Sequence, residues 1–295
     1  MVNVYQLVRL ILFISVIVSF SVNADIIVSD DTGTEIHLAQ PANRIISLAP
    51  NLTELLFSAG AGEKIVGTVR FSDYPEAAKT ISLIGDSYNL DFEAIIKLKP
   101  DLIVFWESGT GEQAYQKLTD LGLTVYRSEP DTLEKIATTI TQLGQLSGTE
   151  QTAILTSEQM LEQIHQLRQQ YSQKSRIQVF YQFWDKPVFT VNGQHLISRI
   201  IELCGGHNIY SDLSPLTPQI NPESVLQLNP EVIITSGMDA NPPEWMGFWR
   251  NWPNLAANAN NHIYSIPPDY IQRHTPRIIQ GARMMCEFID QARPR

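Results

Sequence analysis

From residue 44 onward, runs of branched apolar residues alternate with stretches whose apolar positions recur at helical spacing. Arg44-Ile-Ile-Ser-Leu-Ala reads as a first strand, and Asn51-Leu-Thr-Glu opens a helix that stops at Gly60 and Gly62. Further strands are predicted at 65–69, 102–106 and 123–127. Helices are predicted at 92–98, 112–121 and 132–146, with a short one starting at Pro75. Such alternation predicts an α/β fold with a parallel, layered sheet. Ahead of it, residues 26–38 pattern as a hairpin turning at Asp31-Thr32-Gly33.

Residues 149–173 interrupt the alternation. They contain no glycine or proline, and Ile154, Met160, Leu161, Ile164, Leu167 and Tyr171 fall at helical spacing. One helix of about 37 Å is expected from the rise per residue. After it the pattern restarts at Arg176. It gives a strand at 177–183, a helix at 196–204 closed by Gly205-Gly206, a short helix at 248–255 and a strand at 262–266. A last helix spans 275–292, with Pro276 in its first turn. The expected organisation is two similar α/β lobes, 25–148 and 176–295, joined by one long helix at 149–175. A coiled-coil dimer through that helix is the alternative. Under four heptads argue weakly for it, so a free monomer is expected.

One segment occurs twice. EAIIKLKPDLIVF begins at Glu93 and ESVLQLNPEVIIT at Glu223. In both copies a glutamate opens an apolar helical pattern, and a proline follows seven residues later, ahead of a buried strand. Either acid alone is explained by a helix start, where it complements the macrodipole by about 0.3–1 kcal/mol. Recurrence at the matching place in both halves suggests a shared role. Two such acids at two ends of one face could set register on a partner with paired positive charges.

Charge and cysteine usage narrow the compartment and the partners. Residues 1–24 read as an export signal, with Arg9, an apolar stretch from Leu10 to Phe20 and a cleavage site at Val22-Asn23-Ala24. Its removal takes away one arginine and no acid, moving the formal charge from −10 to −11. An acidic chain without a basic run argues against nucleic acid and anionic membrane surfaces as partners. No second apolar stretch is long enough for a bilayer, so no direct membrane insertion is expected. Cys204 and Cys286 would meet an oxidising environment after export, which favours their pairing over two separate buried thiols. A bridge over that loop would restrict the unfolded chain by about 4–5 kcal/mol at most.

Aromatic residues gather where loops should leave the carboxyl ends of strands: Phe71, Tyr74, Trp106, Phe183, Trp184, Phe189 and Tyr270. Ligands of open α/β sheets lie there. Taken singly such residues are more often packing, but spread over both lobes they suggest a cleft for a large, flat ligand. The loop Asp269-Tyr270-Ile271-Gln272-Arg273-His274 offers polar groups in a similar place. No phosphate-binding loop, nucleophile elbow or zinc-binding helix motif is present. A secreted metal-dependent enzyme using His207, His274 and Asp269 remains the alternative of another class, without ligand-like spacing to support it.

RIISLAPNLTELLFSAGAGEKIVGTVRFSDYP, LDFEAIIKLKPDLIVFW and DYIQRHTPRII resemble the periplasmic substrate-binding proteins of iron-siderophore and cobalamin ABC importers, over about residues 44–290. The resemblance implies two lobes on one rigid helix, with cobalamin carried as cargo in the cleft and no catalysis. A ferric-siderophore or haem carrier is the alternative within the family. It implies that Glu93 and Glu223 dock on the permease dimer, which works with its ATPase subunits, and that Cys204 and Cys286 form a disulfide. It implies ligand contacts from Phe71, Trp106 and Phe189, and from Asp269, Tyr270, Ile271, Gln272 and Arg273. One tryptophan of the family pattern falls on Thr217 here, and another has Ser87 or Tyr88 near it.

Overall fold

The computed structural model describes residues 25–86, 89–238 and 241–294. The expected export signal at 1–24, and Ser87 and Tyr88, lie outside the described residues. The chain opens with an antiparallel hairpin of β1 (Ile26–Ser29) and β2 (Glu35–Leu38). The alternation that follows becomes a parallel sheet. In it, β3 (Ile45–Ser47) lies between β4 (Ile65–Thr68) and β5 (Leu102–Trp106), with β6 (Val125–Ser128) outside β5. Its helices are α1 (Pro50–Ser58), α2 (Phe92–Leu98), α3 (Glu107–Thr110), α4 (Glu112–Asp120) and α5 (Leu133–Ser147).

The second half repeats this topology. β7 (Ile177–Gln182) is followed by a small hairpin of β8 (Trp184–Asp185) and β9 (Val188–Phe189). β7 then pairs in parallel with β10 (Gly206–Asn208) on one side and β11 (Val232–Thr235) on the other, and β12 (Ile263–Ser265) lies outside β11. In each sheet the first strand is central, the second strand flanks it, and the third and fourth run out on the other side.

Both sheets are covered on both faces, and the strand sequences say why. Leu102 and Val104 of β5 point into the core shared with α1 and α5, while Ile103 and Phe105 point into a second core beneath α2 and α4. The same two-residue period puts Val232 and Ile234 on one face of β11 and Ile233 on the other. Continuous apolar runs, not alternating ones, are what a doubly covered parallel sheet requires.

The long helix is α6 (Glu150–Tyr171), 22 residues without glycine or proline, or about 33 Å. Gly148, left-handed at φ 68°, ends α5 and turns the chain back so that α6 packs along it. Gly144 permits the approach, because a Cβ there would lie 2.3 Å from the Ala153 Cβ. Further on, Met160, Ile164 and Leu167 join a core that includes Leu56 of the first half and Ile200 and Met285 of the second. The buried edge of α6 differs from the expected one. Ala153 and Ser157 occupy it, whereas Ile154 and Leu161 are exposed. The small residues let α5 come close, a fact that hydrophobicity alone does not reveal.

The remaining helices are α7 (Leu196–Leu203), α8 (Pro222–Leu228), α9 (Ala256–Ala259), α10 (Pro268–Ile271) and α11 (Ile278–Gln291). Two local expectations are corrected. The segment expected to be helical at 248–255 is a 3-10 helix at Glu244–Asn251 with α9 after it. The last helix begins at Ile278, and α10 forms a separate turn before it. Gly111, with a φ of 87°, separates α3 from α4. Cys204 and Cys286 form a disulfide that ties the end of α7 to α11. No helix among the described residues is long and apolar enough to cross a membrane.

Candidate functional site

The repeated segment folds twice into the same object. α2 and α8 each have seven residues, a side-chain N-cap and a left-handed C-cap. Asp91 caps α2 by accepting from the Ala94 N–H, and Asn221 caps α8 by accepting from the Glu223 N–H. Lys99 (φ 48°, ψ 61°) and Asn229 (φ 46°, ψ 60°) end them. The acid after each proline has a local task. Asp101 accepts the Asn43 N–H at 2.8 Å, just before β3, and Glu231 accepts the Gln178 N–H of β7 at 2.8 Å. Among the described residues, Glu93 and Glu223 make no hydrogen bond or ion pair of this kind. Both sit exposed in the first turn of their helices.

The carboxyl ends of the two sheets face each other across a cleft. A cavity of about 260 Å³ lies there, and its walls come from both halves. The first half gives Trp106 at the end of β5, and Glu129 and Asp131 after β6. The second gives Phe183 after β7, His195 and Ile197 at the start of α7, Leu216 and Thr217, and Gln272 and His274. The buried Trp106 indole N–H finds no acceptor among the described residues, leaving a donor uncommitted in the cavity wall.

Two histidines meet in that wall, with ring centroids 6.5 Å apart and planes at 83°. His195 caps α7, its Nδ1 accepting the Ile197 N–H at 3.1 Å. Burial, with His274 adding a smaller repulsion, pushes the His195 ring down to about 4, so it is neutral at neutral pH. Burial also lowers His274, against the opposing pull of Glu129, a hydrogen bond to the Pro130 backbone, and Asp131.

Beside the cavity, charges lock the halves together. Glu54, on α1 and only 2% exposed, accepts from Arg277 at 2.6 and 2.9 Å and from Arg273 at 2.9 Å. Arg273 also reaches Asp73 of the first half at 3.1 Å and Asp269 at 3.1 Å. Arg277 lies over the Tyr74 ring, 4.0 Å from its centroid. A carboxylate this deeply buried requires such partners, because an unpaired ion there would be several kcal/mol too costly.

The expected ligand residues divide. Trp106 lines the cavity, and so does Gln272, which donates to the Ser236 hydroxyl at 3.0 Å. Phe189 stacks on Phe183 at 6.0 Å, one ring behind the wall. Phe71 is 70% exposed with a left-handed φ of 68°, on the loop that also carries Asp73 and Tyr74. Tyr270 is partly buried, and its carbonyl presses on α11 where Gly281 leaves room. Asp269 and Arg273 belong to the ionic lock. Ile271 is corrected: it is fully buried in the shared core, so its side chain has no access to a ligand.

The alternative pairing of His207 with His274 is also corrected. His207 lies opposite Gln178 in the parallel register, four residues before Gln182 closes β7. That is about 13 Å from the carboxyl end of the sheet. The ring beside His274 is His195. Sequence reasoning missed His195, Glu54 and Arg277. The signal for His195 was its place just before the apolar run of α7, where an N-cap belongs. Glu54 gave none, since an acid inside an amphipathic helix normally faces water.

A family model described as a periplasmic binding protein matches residues 45–270. A vitamin B12-binding protein from Vibrio campbellii is 36% identical over 254 residues, 86% of this chain and 91% of that protein. Another from Yersinia pestis is 34% identical over 249 residues, 84% of this chain and 87% of its own. The crystal structure of the periplasmic vitamin B12 binding protein BtuF of Vibrio cholerae superposes with a TM-score of 0.79 at 34% identity, covering 86% of this chain and 99% of that one. The haem-binding protein RhuT from Roseiflexus, at 21% identity and a TM-score of 0.72, shares the fold. With a family model spanning both sheets and relatives this similar over most of its length, the chain belongs to the periplasmic binding protein family.

Proposed function

We propose that the chain is an exported carrier that captures cobalamin between its lobes and presents it to the permease of an ABC importer. The cleft carries this reading. It lies at the carboxyl ends of both sheets, is walled by aromatic and polar groups from each, and occurs in a chain over a third identical to a vitamin B12-binding protein. The action is reversible binding without chemistry. Trp106, Phe183 and Phe71 offer apolar faces for the corrin, with Phe189 backing Phe183, and Gln272 offers a polar contact at its edge. The exposed Glu93 and Glu223 are the docking points, one on each lobe, for paired cations of a permease dimer. The carrier works in the periplasm after loss of residues 1–24, as a monomer.

The test is direct. Purified mature protein is titrated with cyanocobalamin by calorimetry, and one equivalent should bind. Absence of binding at micromolar ligand, together with binding of haem or a ferric chelate, would replace cobalamin by one of those cargoes.

A further inference from the structure

The two neutral imidazoles in the cleft are complementary, and their partners show how. His195 Nδ1 accepts the Ile197 N–H. The single proton of a neutral ring therefore sits on Nε2, which is a donor. His274 lines the same wall, and a neutral imidazole keeps one bare, accepting nitrogen in either tautomer. One donor and one acceptor thus stand in the same cavity wall, on rings 6.5 Å apart. The His195 ring is fixed by its backbone hydrogen bond.

The charge of the cavity limits what can use that pair. Glu129 and Asp131 line it, and among the described residues no lysine or arginine does, the neighbouring Arg273 and Arg277 being taken up by Glu54 and aspartates. A carboxylate entering would face two acids and no uncommitted cation. The size limits it further. At about 260 Å³ the cavity is below the range of about 300–1,000 Å³ that encloses a whole drug-sized ligand. What fits is one arm of a larger molecule whose body lies in the open cleft.

We propose that His195 and His274 read a primary carboxamide arm of the cargo, the amide oxygen on the His195 N–H and the amide N–H₂ on the free His274 nitrogen, and reject a carboxylate in its place. This rests on the reading of the chain as a corrinoid carrier, since a corrin rim bears such carboxamides. Porphyrins and many iron chelators bear carboxylates instead. The pair is therefore a specificity filter, separate from the aromatic contacts that supply most of the buried area.

The probes are cyanocobalamin and its monocarboxylic acids, in each of which one side-chain carboxamide has been hydrolysed. Calorimetry on the mature protein at pH 7.5 should show one monocarboxylic acid binding at least about tenfold more weakly than the parent. In the His195→Asn, His274→Leu double variant, affinity for cyanocobalamin should fall about tenfold and the discrimination should shrink by the same factor. Asparagine at position 195 can still cap α7, and the two single variants serve as measurements if the double variant does not fold. Wild-type protein that binds all monocarboxylic acids within about threefold of the parent overturns the filter alone, as does a folded variant that keeps full discrimination. Wild-type protein that binds no cyanocobalamin overturns the carrier reading and the filter with it.

Discussion

Glu54 and Arg277 lie 223 positions apart in the sequence and 2.6 Å apart in space, closing one flank of the cleft with a buried ion pair. The carboxylate is bound at both oxygens, and Arg273 adds a third contact. Removing it would take from Arg277 its two closest contacts and leave Arg273 only Asp73 and Asp269. Glu54→Ala should therefore destabilise the protein by about 3–5 kcal/mol, read from chemical denaturation. A loss below about 1 kcal/mol would show that the lock contributes no more than a surface pair.

The disulfide joins residues 82 apart, both fully buried. Cys204→Ala with Cys286→Ala should lower stability by up to about 4–5 kcal/mol, the loop-entropy maximum. Mass spectrometry of unreduced protein should find no free thiol. Two free thiols in correctly exported protein would contradict the pairing.

Exposure of Glu93 and Glu223 predicts a clean separation of functions. Reversing both to Lys should leave cobalamin affinity within about twofold of wild type. Uptake by cells that depend on this carrier should be abolished. If a folded double variant lost its ligand, the docking role would be wrong.

Much of this was legible because each signal was local. The branched run of residues 102–106 could only be a buried strand, and the repeat at 93 and 223 gave two helices of identical length. The cleft could be placed at the strand ends, with Trp106 in its wall, because parallel sheets leave no other site. The lock could not be foreseen. Glu54 and Arg273 meet only after two lobes have been assembled around α6, and neither the helix of Glu54 nor the loop of Arg273 shows its partner in its own window. The same holds for the edge of α6, where the identity of the neighbour, not the hydrophobicity of Ile154, decides what is buried.

His195 makes stability depend on pH. Its folded value of about 4 lies below its ordinary 6.5. Between those values the unfolded chain takes up a proton that the folded ring refuses, so stability falls as pH drops from about 6.5 towards about 4. His274 is shifted in the same direction, while Glu129 and Asp131 across the cavity partly oppose it. Thermal unfolding between pH 7.5 and 4.5 should show this slope, and His195→Asn should flatten it. An unchanged slope in that variant would place the titrating group elsewhere.

Phe71 trades backbone comfort for position. A non-glycine residue at φ 68° holds a ring 70% exposed to solvent. Phe71→Asn, which tolerates that conformation better, should be as stable as wild type or up to about 1 kcal/mol more so. Its cobalamin affinity should fall about tenfold with the loss of the aromatic face. Unchanged affinity would remove Phe71 from the site.

α6 has one further consequence. Because one unbroken helix packs into the cores of both halves, the chain is built like a caliper with a stiff spine. In the proposed docking, such a spine would keep the interval between the tips at Glu93 and Glu223 nearly the same with or without cargo. A permease gripping only those tips would then register that a carrier has arrived, and a loaded carrier would be told from an empty one at the rim of the cleft.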